Sequence, residues 1–124
     1  MKDFINKMIA IEKRTAKERG AYNLFGLFKR EGSSRWWDII VAADWISDRQ
    51  EAVGYLIDEM KKDFVTDDYL MISHVEVVTK IDPDLAYVTR LQSMYGVPQL
   101  LQCTVFNKDI KEAFLIAFKS PQAA

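Results

Sequence analysis

Arg35-Trp36-Trp37-Asp38-Ile39-Ile40-Val41-Ala42-Ala43-Asp44-Trp45-Ile46 reads as a long strand with two unlike faces. Side chains alternate along a strand, so Trp37, Ile39, Val41, Ala43 and Trp45 share one face, and none of them is polar. The other face carries Trp36, Asp38, Ile40, Ala42 and Asp44, two carboxylates set among apolar groups. The first set is core. The second suits neither a dry core nor a solvated surface, and any site or partner surface is expected there.

The flanking segments build the rest of the sheet. Tyr22 to Arg30 alternates as a strand, with Tyr22, Leu24, Gly26 and Phe28 on one side and Phe25 and Leu27 on the other. Glu31-Gly32-Ser33-Ser34 is turn chemistry, so the two strands form a hairpin. On the far side, Ser47 with Gln50, or Asp48 with Glu51, offers a capping box. The helix it opens runs to Phe64, with Val53, Leu56, Ile57, Met60 and Phe64 spaced to cover the apolar face. Tyr69 to Ile81 is rich in β-branched residues and reads as a strand.

Asp82-Pro83 places an N-cap before proline at a first helical position, so residues 85–95 read as a helix, with an alternating strand as the rival. Leu100 to Phe106 and Glu112 to Phe118 form a closing hairpin, and residues 120–124 form a loose tail. At the other end, residues 1–20 form an amphipathic helix whose apolar stripe (Phe4, Ile5, Met8, Ile9, Ile11) stops near Glu12. Its basic end, Lys13 to Arg19, is expected to project into water or onto a partner.

The order α-β-β-α-β-α-β-β over residues 1–124 predicts one α+β domain. A mainly antiparallel sheet of about five strands would carry helices chiefly on one face. The chain is long enough for a real core, and its longest wholly apolar runs, 39–43 and 113–118, are far too short to span a bilayer. The start of the chain lacks the apolar region of a signal peptide, which points to a cytoplasmic location. One cysteine excludes an internal disulfide, and with one histidine beside it a structural zinc site has too few ligands.

Charge is unevenly spread. Residues 1–35 hold nine Lys/Arg against four Asp/Glu, and the rest of the chain is correspondingly acidic. Such a segment either meets nucleic acid or lies against the acidic body of the protein, and the interleaved Glu12 and Glu18 favour the second.

Three constellations could carry function. Asp38, Asp44, His74 and Glu76 would meet if their strands were neighbours, forming a metal site or an acid–base set. The alternative is that they are singly solvated or paired with Lys29, Arg30 or Lys80. Arg30, Arg35 and Trp36 could stack a base and neutralise phosphates of a single strand, although no RNA-binding motif is present. Finally Tyr22, Leu24, Phe28, Trp36 and Ile40 form an apolar second face that one short helix cannot cover, and such a surface is normally buried in a partner, often a second copy.

No phosphate-binding or dinucleotide loop, nucleophile elbow or paired-histidine helix is present, and no cofactor is implied. Cys103, in Leu100 to Phe106, reads as a buried structural thiol. The expected function is therefore a small non-catalytic interaction module, homo-oligomeric through the second sheet face. An enzyme using the four polar residues and a single-strand binder are the alternatives.

Overall fold

The computed structural model describes residues 2–32, 36–79, 81–88, 99–106 and 108–118. Helix α1 (Lys2–Arg19) leads into β1 (Tyr22–Arg30) and β2 (Trp37–Ala43). Helices α2 (Arg49–Asp63) and α3 (Thr66–Tyr69) then precede β3 (Ile72–Val77), and β4 (Gln99–Val105) and β5 (Lys108–Phe118) close the chain. The five strands form one sheet in the order β3-β2-β1-β5-β4. The α+β domain expected from the sequence is present, with one change of kind. β3 runs parallel to β2, so the sheet is mixed, because α2 and α3 carry the chain back to the starting edge before β3 begins.

Local signals explain most boundaries. Asp48 caps α2, its Oδ1 accepting from the amides of Gln50 at 2.9 Å and Glu51 at 3.3 Å. Gly20 ends α1 with φ of +130°, and a Cβ there would lie 3.1 Å from the Trp45 ring, so both backbone and space ask for glycine. The Asp82 carboxylate accepts from the Asp84 amide at 2.9 Å, and residues 83–88 are helical; the rest of the 85–95 segment lies outside the described residues.

Helices α1 and α2 cover one face, where Phe4, Met8, Ile11 and Leu56 pack on Phe25, Leu27, Trp37, Ile39 and Val41. Leu56 is wholly buried. Ile57, expected beside it, turns to solvent and is 38% exposed. The tryptophan strand is shorter than its pattern, ending at Ala43. Trp45 nevertheless stays on this face from the following turn, donating from its indole nitrogen to the Gly20 carbonyl at 3.0 Å.

The opposite face is a second core, not a surface. Leu24, Phe28, Ile40, Ala42, Ile110, Ala113 and Leu115 are buried under Leu85 and Val88 of the 83–88 helix and under Val105 and Phe106 of the last hairpin. The Asp84 carboxylate accepts from the Phe106 amide at 2.7 Å and pins these two covers together. Gly26 makes room for Phe28, since a Cβ there would come within 2.6 Å of the ring.

The apolar face expected to meet a partner is thus covered by the chain itself. Tyr22 is not even on it. The register slips between Tyr22 and Leu24, leaving Asn23 as an extra residue, and this returns Tyr22 to the helix-covered face, where it meets Phe25 edge-on.

The basic end of α1 is divided: Lys13 and Lys17 are exposed, as expected, while two arginines meet α2. Arg14 reaches Glu59 at 2.8 Å and Asp63 at 2.9 Å, and Arg19 reaches Glu51 at 3.0 Å. Thr15 is buried, sharing a 2.7 Å hydrogen bond with the Tyr22 hydroxyl. α1 is held beyond its apolar stripe because Arg14 and Arg19 meet acidic side chains of α2.

Candidate functional site

β2 and β3 are the one parallel pair among the described strands, and their two ends differ in chemistry. At the starting end, Trp37 stands opposite Ile72 but Asp38 stands opposite His74, so Ser73 is an extra residue in β3. This bulge resets the alternation and turns His74 and Glu76 toward the second face, level with Asp38 and Ile40. His74 Nδ1 lies 3.2 Å from Asp38 Oδ1, and its Nε2 lies 3.2 Å from Glu76 Oε1. Lys108 at the start of β5 donates to the same Glu76 oxygen at 2.8 Å. Arg30 at the end of β1 places Nε 3.1 Å from Asp38 Oδ2 and a terminal nitrogen 3.3 Å from the Ser73 hydroxyl.

Three of the four residues expected to converge therefore do so. Asp44 does not. It sits past the other end of β2, accepting from the Asn23 side chain at 3.1 Å. Arg30 was foreseen as a partner for this face, whereas Lys108 was not, because no local pattern tells that the turn after β4 folds back over the sheet. Lys29 points the other way, buried against the Trp37 ring at 4.5 Å and 3.4 Å from Glu112. Lys80 and Arg35 lie outside the described residues. Trp36 is 46% exposed, but Arg30 is engaged by Asp38 and Ser73, which weakens the case for a base-stacking patch. Cys103 lies in β4 opposite Ile110.

The electrostatics of the cluster are closed. Asp38 is 1% exposed, and its oxygens face Arg30 and His74 at ion-pair distance, although neither has an aligned hydrogen bond with a described residue. Burial pushes the Glu76 carboxyl up, but the hydrogen bonds from Lys108 and His74 outweigh it and hold the group below the usual carboxylate range. Both imidazole nitrogens face carboxylates, and the Glu76 oxygen that meets Nε2 is shared with Lys108. A proton transfer to a substrate would first need Glu76 to move aside. No group of three or more His, Cys, Asp or Glu among the described residues has the arrangement to hold a metal ion.

At the finishing end of the pair, the turn after β2 and the start of α2 enclose a cleft of about 330 Å³ against Val77 and Val78. The sequence offered no signal for it beyond the helix cap. No helix among the described residues is long and apolar enough to cross a membrane. No protein-family model, curated protein or solved structure matches this chain.

Proposed function

We propose that this chain is a non-catalytic interaction module that pairs with a second copy through the open edge of β3. The observation that carries the reading is a strand edge with no partner strand among the described residues, preceded in the chain by exposed apolar side chains. β3 is a terminal strand of the sheet, and Val65, Tyr69 and Leu70, which lead into it, are 60, 43 and 64% exposed. An open edge presents backbone donors and acceptors that another strand can complete, and apolar side chains beside it add the burial that makes pairing stable.

Past the Ser73 bulge, residues 74–77 keep regular register with β2, so this short stretch is the edge offered. Edge-to-edge pairing of two copies is self-complementary and closes at a dimer. The closed charges around His74 support a structural role for that cluster, which ties β3 to β1, β2 and β5 and holds the edge in place.

Sedimentation velocity from roughly 1 to 100 μM tests this directly, since dimers of this kind dissociate in the micromolar range or below. The wild-type chain should sediment as a dimer, and Leu70→Asp should shift it to monomer without loss of helical circular dichroism. A wild-type chain that stays monomeric throughout would overturn the reading.

A further inference from the structure

The cleft at the finishing ends of β2 and β3 is independent of the β3 edge proposal. Ala43, Ile46, Val77 and Val78 form its apolar walls, and Asp44, Ser47, Arg49 and Thr79 supply its polar lining. Parallel strands joined through a helix leave a crevice beyond their carboxyl ends, and small molecules bind there in open sheets. The volume of about 330 Å³ falls at the low end of small-molecule sites.

The rim decides the chemistry. Most other cations that could be placed near a carboxylate are already paired: Arg14, Arg19, Arg30 and Lys108 all have acidic partners. Arg49 has no ion pair or side-chain hydrogen bond with any described residue, and neither does the Ser47 hydroxyl. Asp44 on the same rim is engaged by Asn23. The α2 terminus is closed by Asp48, so its amides are not what would hold a ligand. What remains is a cleft with apolar walls whose mouth carries the Arg49 guanidinium, unpaired among the described residues, with the Ser47 and Thr79 hydroxyls and the Asp44 carboxylate. A guanidinium pairs best with a planar oxyanion through two parallel hydrogen bonds.

We propose that this cleft binds a small monocarboxylate, its apolar body against Val77, Val78 and Ile46 and its carboxylate on Arg49. The test is titration of the full chain with hexanoate at fixed ionic strength, followed by amide NMR. Hexanol serves as the uncharged control, and acetate as the carboxylate without a body.

Hexanoate should shift the amides around residues 43–49 and 77–79 saturably, with a Kd of about 0.1 to 10 mM for so few heavy atoms. Hexanol and acetate should bind at least about tenfold more weakly, as should Arg49→Gln, the usual loss for a charged hydrogen bond. Ser47→Trp should fill the mouth and abolish binding. Both substituted residues are exposed, and unchanged melting curves would confirm that the variants fold. No saturable shift up to about 100 mM hexanoate, well above the weakest expected Kd, would overturn the site. Hexanol matching hexanoate, or Arg49→Gln binding like wild type, would overturn the carboxylate assignment.

Discussion

The two ends of the β2–β3 pair are built from the same strands and differ in how their charges are settled. At the starting end, two carboxylates, an arginine, a lysine and a histidine neutralise one another across four strands. At the finishing end, an apolar cleft opens beside an arginine with no acidic partner among the described residues. A gathering of ionisable groups draws the eye in a sequence, but groups that satisfy each other have little left to offer a ligand. The emptier end, with fewer polar residues, has more unspent bonding capacity.

Phe28→Ala should give the largest effect. Phe28 is wholly buried and stands opposite Asp38, so its loss opens a cavity beneath the closed end. A destabilisation of about 3 to 5 kcal/mol is expected by urea denaturation. Because the face is internal, the oligomeric state should not change at protein concentrations where the variant is folded. A loss below about 0.5 kcal/mol would mean the second face is a surface after all.

Arg30→Met should come next, at roughly 3 kcal/mol, since it leaves the buried Asp38 with His74 alone. Arg30→Met combined with Asp38→Leu should recover much of that loss, which separates a stranded charge from a packing defect. If the single variant costs nothing, the closed end is not closed.

Acid should loosen the molecule through its low-lying carboxylates. The hydrogen bonds from Lys62 and Arg14 hold Glu59 below its ordinary value. Burial pushes Asp68 up, but Lys7 and the Val65 amide more than offset it. Glu76 is held down by Lys108 and His74 against its own burial. A carboxyl whose folded pKa is depressed contributes stability above its unfolded value, near 4, and that stability is lost as pH falls through the folded value. Glu12, pushed up by burial, works in the opposite sense but stands alone in this group. Urea midpoints should therefore hold level from about pH 7 to 5.5 and fall below about pH 4.5. Lys7→Met should lessen the fall by removing one of the cations responsible.

The smallest effect belongs to the open end. Arg49→Gln should change stability by less than about 0.5 kcal/mol, because Arg49 has no partner among the described residues. A larger loss would show that Arg49 is held by a contact, and the contrast between the two ends would narrow.

Much of this fold is written in short-range patterns. The apolar alternation of Trp37, Ile39 and Val41, the Asp48 cap and spacing of α2, the hairpins and the Asp82-Pro83 helix start each depend on neighbours a few residues apart. Such signals survive in the sequence because backbone geometry repeats locally. The shared face of His74 and Glu76 was legible for the same reason. What covers the second face was not, since Leu85, Val88 and Phe106 reach it only once the last third of the chain has folded back. Nor were the slips at Asn23 and Ser73, each of which moves side chains to the opposite face by one inserted residue. The parallel pairing of β3, the reach of Lys108 to Glu76 and the isolation of Arg49 likewise came from tertiary structure. Each depends on where distant segments come to rest, and apolar burial, which sets those positions, has no direction of its own.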